Sequence, residues 1–251
     1  MLELSRFEMI VGKEGIEKLK NSSIIIFGVG GVGSYAAEAI ARSGVGEITL
    51  VDYDEVCITN INRQIHALKS SIGKRKVDIM KERIAEINST INVKAVNIQY
   101  DSDSHNQIFD KKYDFVIDAI DMVSSKLLLA EWCYKNNIKI ISSMGTGNKF
   151  HPEKLEISDI KKTSVCPLAR VIRYELKKRG VKKLTVVYSK ENPVKSDKGS
   201  HNCKKNCVCP SKGEHIDCTG KKSIPGSTSF VPPAAGMLIA SYVVREILGI
   251  K

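Results

Sequence analysis

Four glycines in one short run, Gly28, Gly30, Gly31 and Gly33, restrict the chemistry of this chain more than any other residues. They follow the apolar stretch Ile24–Phe27, and their G-x-G-x-x-G spacing suits a tight turn with close backbone approach to a phosphate. A helix opening near Ser34 would aim its free N–H groups and positive dipole end at that phosphate. Asp52, at the end of a second apolar strand, is placed to accept hydrogen bonds from a ribose. Such a set alone describes a nicotinamide dehydrogenase. Three further groups argue for a different reaction. Asn60-Ile61-Asn62-Arg63-Gln64 follows the ribose acid closely and would sit over the phosphates. Gly73-Lys74-Arg75-Lys76 opens a helix and brings positive charge to the same edge. Asp118 and Asp121 end another strand with two carboxylates suited to holding magnesium through one or two ligands. A dinucleotide pyrophosphate is served by the glycine loop alone. Cleavage of a triphosphate develops more charge, which Arg, Lys and a metal stabilise.

The elements that must position these residues alternate strand and helix, as a doubly wound parallel sheet requires. Strands are expected at Ser23–Phe27, Ile48–Val51, Val93–Ile98, Asp114–Asp118 and Ile138–Ser142, with helices at Ser34–Ser43, Lys74–Asn88 and Ser124–Asn136. Val77, Met80, Ile84 and Ile87 form one apolar helical stripe. Right-handed crossovers would bring the loops after strands one, two and four to one carboxyl edge. Gly28–Gly33, Asp52–Asp54 and Asp118–Asp121 then converge on one crevice. The fold class is thus α/β, Rossmann-like, with a mostly parallel sheet. Residues 1–150 read as the nucleotide-binding core. Residues 151–251 read as the C-terminal part of the same domain, with a helix at Pro167–Arg179 and a strand at Lys183–Tyr188. A polar, Cys-rich loop (189–227) and a final helix (232–248) complete it.

The 251 residues are 42% hydrophobic and 27% charged, ordinary for a soluble globular protein. The first residues carry Glu3 and Glu8 without an apolar run, so no signal peptide is expected. The longest apolar segment, near Ala234–Val244, reads as too short to span a bilayer and as a buried helix. A cytoplasmic protein with no membrane partner and mostly reduced cysteines is therefore expected. The net charge is +11, with lysines clustered in the second half. Either a lysine-rich proteome or a nucleic-acid surface produces such a balance. Aromatic residues are only 6%, so the composition suggests no base-stacking platform.

With Asp54 completing D-x-D beside Asp52, the run G-x-G-G-x-G, Asn60, Arg63, Gln64, Lys76 and Asp121 resembles the ubiquitin-activating superfamily in its ThiF/MoeB/HesA form. The resemblance implies ATP and magnesium: Asp52 on the ribose, Asn60, Arg63 and Lys76 on the phosphates, Asp121 on the metal. It implies that Arg6 enters the partner's active site, hence a homodimer. NRQIHAL (Asn62–Leu68), with Lys162-Thr163 and Pro167-Leu168-Ala169, resembles the tRNA threonylcarbamoyladenosine dehydratase branch. That branch is implied to adenylate the threonyl carboxylate of the modified adenosine in tRNA, after which the carbamoyl group closes a ring with loss of AMP. A nearby alternative is adenylation of a small sulfur-carrier protein, and a rival of a different class is a non-catalytic nucleotide-binding module that docks RNA or a sulfur-transfer partner.

Relatives that activate sulfur carriers hold structural zinc with two C-x-x-C pairs, which this chain lacks. It has instead Cys203, Cys207, Cys209 and Cys218, with His201 and His215 nearby. These could close a zinc site, stay free thiols, or include a nucleophile, for which Cys218 and Cys166 are the candidates. Cys57 and Cys133 are expected to be buried small hydrophobes. His66 is expected to be a packing or hydrogen-bonding residue.

Overall fold

The computed structural model describes residues 2–195 and 225–250. Seven strands form one sheet in the order β3-β2-β1-β4-β5-β7-β6. They are β1 (Ser23–Phe27), β2 (Glu47–Val51), β3 (Asn92–Val96), β4 (Phe115–Asp118), β5 (Ile140–Ser143), β6 (Leu155–Asp159) and β7 (Thr185–Ser189). All pair in parallel except β6, which runs antiparallel to β7 at the edge. The strand order reverses at β1, so a crevice opens between the carboxyl ends of β1 and β4, where such sheets bind ligands.

Both faces of β1 are buried, which is why Ile24-Ile25-Ile26-Phe27 is continuously apolar. Ile24 and Ile26 pack with α2 (Gly33–Arg42), α3 (Lys76–Ile87) and the final helix α7 (Val231–Leu248). Ile25 and Phe27 face Tyr100 and α5 (Val123–Lys135). Farther along that second face, α5 packs with α6 (Pro167–Lys178) over β7. The expected α3 stripe is buried at Val77, Met80 and Ile84. By length and composition alone α7 reaches the size of a membrane span, longer than its apolar segment suggested, yet it is buried as expected. Here it is a core helix: Ala235, Ile239 and Val243 are fully buried, and Gly236 lies against the first turn of α2.

Three elements go beyond the sequence reading. Helix α1 (Ser5–Lys20) bends at Gly12, where φ is 70°. The short α4 (His105–Ile108) carries His105 onto Trp132. The third is the edge strand β6. The Cys-rich stretch 196–224, with Cys203, Cys207, Cys209, Cys218, His201 and His215, lies outside the described residues.

Candidate active site

The glycine turn is shaped by contact rather than by flexibility alone. Gly28 has φ 85°, and a Cβ there would stand 2.6 Å from the Ala119 carbonyl oxygen, on the neighbouring β4 loop. At Gly33 a Cβ would lie 1.8 Å from the Gly28 oxygen. The turn therefore closes on itself and on β4 at once, as only glycine allows. The Ser34 N–H already bonds the Gly30 carbonyl at 3.0 Å, so α2 starts inside the turn, slightly earlier than Ser34. Gly31 sits beneath Arg63 and Pro232, and Gly30 faces the Gln64 amide.

Asp52 is held at the tip of β2. Its carboxylate accepts from the Val29 N–H at 2.6 Å and the Asp54 N–H at 2.8 Å, which ties the acid to the glycine turn. Burial raises the Asp52 carboxyl above its ordinary value, and Lys76 works against that. Lys76, the first residue of α3, is buried and pairs with Asp54 at 2.5 Å. Burial would lower its pKa, but the facing Asp52 and Asp54 carboxylates, with Asp121, hold it above its ordinary value. Lys76 is thus a fixed cation in the crevice.

The Asn60–Gln64 segment follows β2 through a short 3-10 turn and lies over the glycines. The buried Asn60 accepts from the Cys57 N–H at 3.0 Å, which shapes the turn. Arg63 donates to the Thr59 carbonyl at 2.8 Å and to Asn62 at 3.0 Å, and burial pulls its guanidinium below the ordinary value. Gln64 is buried, and its Oε1 has no hydrogen-bond partner among the described residues. Asn62 donates to the Ser227 carbonyl at 2.9 Å, joining this segment to the chain that enters α7. Nothing in the sequence links residues so far apart.

The two carboxylates of β4 separate in role. Asp118 is fully buried and committed: it accepts from Lys126 at 2.9 Å, Ser142 at 2.5 Å and the Ile120 N–H at 3.1 Å. Of the two, Asp121 is the carboxylate accessible to a metal. Asp121 is exposed at the crevice mouth, close enough to influence Lys76. No cluster of three metal-ligating side chains exists among the described residues. One carboxylate fits a magnesium that keeps waters and binds mainly through a substrate's phosphates.

Gly28–Gly33, Asp52, Asp54, Asn60, Arg63, Gln64, Lys76 and Asp121 thus meet at one edge. Arg6 does not join them. It is exposed on α1, whose preceding Leu4 packs on Gly44, at the amino edge of the sheet. Among the cysteines, Cys133 is buried and its thiol is pushed up by burial, as expected. Cys57 departs from expectation: it is half-buried on the turn before Asn60, where Thr59 bonds its sulfur. Cys166 is buried, with Sγ 3.7 Å from where a Gly145 Cβ would be. His66 packs without a hydrogen bond to either ring nitrogen among the described residues. Burial first, then Lys76 and Arg83, push it down to about 3, so its imidazole is neutral.

Glycine N–H groups, a buried lysine and an arginine can bind a polyphosphate and stabilise charge developing on it, with one exposed carboxylate able to hold its magnesium. The sequence profile of the ThiF family matches residues 4–250. The Bacillus subtilis tRNA threonylcarbamoyladenosine dehydratase is 45% identical over 98% of this chain and 94% of its own length. The Escherichia coli enzyme of the same name is 41% identical over 67% of this chain and 63% of its own. The crystal structure of E. coli tRNA N6-threonylcarbamoyladenosine dehydratase in complex with ATP is similar with a TM-score of 0.83 and 31% identity. That match covers 99% of this chain and 94% of that one.

Proposed function

The chain belongs to the ThiF family, and we propose that it is an ATP-dependent dehydratase that cyclises threonylcarbamoyladenosine in tRNA. The observation that carries this reading is the 45% identity to the B. subtilis enzyme over nearly the whole of both chains. The crevice residues support it chemically. The threonyl carboxylate attacks the α-phosphate of ATP, the bond to the β-phosphate breaks, and pyrophosphate leaves. The carbamoyl group then attacks the acyl carbon, loses a proton, and expels AMP. Ring closure is intramolecular, so its effective concentration is high and it requires no protein nucleophile. The buried position of Cys166 agrees with that.

In this reading the glycine turn cradles the phosphates and Asp52 receives the ribose. Asn60, Arg63, Gln64 and Lys76 line the phosphate path, and Asp121 would hold magnesium. The metal supplies further charge neutralisation when bound. Lys76 is poised by its pair with Asp54 (2.5 Å), and a phosphate entering the crevice competes for the same ammonium. The nucleotide core (1–150) and the C-terminal part (151–251) act as one domain, a reading supported by the pairing of β5 with β7. A tRNA substrate implies the cytoplasm. The position of Arg6 at the edge opposite its own crevice supports a homodimer in which it enters the partner's site. Met9 and Ile10, 80% and 79% exposed on the same helix, are apolar surface that a second copy would cover.

Incubation with ATP, magnesium and tRNA bearing the threonylcarbamoyl mark tests the reading. AMP, pyrophosphate and a nucleoside lighter by one water are expected. AMP formed only with a small sulfur-carrier protein, and never with the tRNA, would assign the chain to the other branch.

A further inference from the structure

The densest positive charge in the chain lies outside the crevice. Between Ile160 and Leu184 there are nine Lys and Arg residues and one acid, Glu175. The centre of that stretch is α6, which buries Ala169, Ile172 and Leu176 against α5 and β7. Its opposite face, at i, i+4 and i+7, presents Arg170, Tyr174 and Lys177 to solvent. The acids nearest this face are used at the carboxyl end of the helix, where Glu175 pairs with Lys178 (3.1 Å) and Glu131 of α5 with Arg179 (2.8 Å). Arg170 and Lys177, with Lys161 and Lys162 ahead of the helix, form no salt bridge among the described residues. Tyr174, 61% exposed, lies between the cations, with the Lys178 ammonium 4.2 Å from its ring centre.

The strip starts at the reaction edge. Cys166 and Leu168, at the head of α6, would touch a Cβ on Gly145, which follows the carboxyl end of β5. From there the helix runs roughly 18 Å toward the amino edge. An adenosine delivered to the crevice beside Asp121 therefore has its flanking nucleotides within reach of this face.

We propose that the outward face of α6, with Lys161 and Lys162, is the surface along which the tRNA backbone docks. Arg170 and Lys177 neutralise phosphates, and Tyr174 stacks on an unpaired base. The proposal rests on tRNA being the substrate. Cations alone would also suit an acidic protein; the exposed aromatic between them favours RNA.

Binding of the marked tRNA across a salt series tests the proposal, with the parent chain, the double variant Arg170→Gln/Lys177→Gln, and Tyr174→Ala. The double variant is expected to bind about tenfold more weakly, with the slope of log affinity against log salt reduced by roughly two. Tyr174→Ala is expected to lose about fivefold with the slope unchanged. An ATP affinity equal to the parent's reports that each variant is folded. Parent-like tRNA affinity and salt slope in the double variant would overturn the proposal. So would loss of binding to an acidic sulfur-carrier protein while tRNA binding holds. If the parent neither binds nor converts the marked tRNA, the substrate assignment itself fails, whatever α6 does.

Discussion

Gly33 has the least room of the glycines at the crevice, since a Cβ there would enter the Gly28 carbonyl oxygen. Gly33→Ala must open the turn that also carries the Val29 N–H to Asp52. The expected result is loss of ATP affinity by at least about tenfold, read by calorimetry, while far-ultraviolet circular dichroism keeps its helical signal. His66 makes a second residue-scale test. Its folded pKa of about 3 lies below the unfolded value near 6.5, so at acid pH the unfolded chain takes up a proton that the folded chain refuses. Stability is full above about pH 6.5 and falls toward pH 3, with a slope of up to about 1.4 kcal/mol per unit from this group. Urea melts of His66→Leu over that range should show a flatter profile than the parent; an identical slope would remove His66 as the cause. The glycines were legible from sequence because strand, turn and helix are contiguous. The difference between Asp118 and Asp121 was not, because Lys126 and Ser142 reach Asp118 from another helix and another strand.

Helix α7 holds the turn from behind. A Cβ on Gly236 would stand 2.4 Å from the Val32 carbonyl oxygen and 2.9 Å from the Ala36 nitrogen, at the start of α2. Gly236→Val is expected to push the helices apart and destabilise the chain by about 1–3 kcal/mol, as overpacking does. ATP affinity should fall with it, because α2 carries the glycine turn. A denaturation midpoint equal to the parent's would show that α7 does not set this spacing. Elements with one strong pattern were readable: β1 and β4 as continuous apolar runs, α3 by its stripe. Helix α1 was not, because Met9 and Ile10 lie on its exposed surface and Gly12 interrupts its period with a positive φ. Edge strand β6, Leu-Glu-Ile-Ser-Asp, is only half-buried throughout, so burial leaves no clear signature in its sequence.

At the scale of the molecule, the proposed homodimer would place residues of two copies in each site. Arg6 and Asp121 lie at opposite edges of one sheet, so a site using both takes them from different chains. Arg6→Ala and Asp121→Ala should each be inactive alone. Mixed and allowed to exchange subunits, they should recover roughly a quarter of parental activity, because half the dimers are mixed and each holds one intact site. No recovery, with exchange verified, would place Arg6 outside the site. The basic balance was legible as a number, +11, but its concentration on one helix face needed the fold. The proposed chemistry turns on direct attack of the threonyl carboxylate on ATP. It is tested by tRNA whose threonyl carboxylate carries a heavy-oxygen label, with the products analysed by mass spectrometry. Direct attack predicts labelled AMP and unlabelled pyrophosphate. A cyclised nucleoside formed with unlabelled AMP would contradict it.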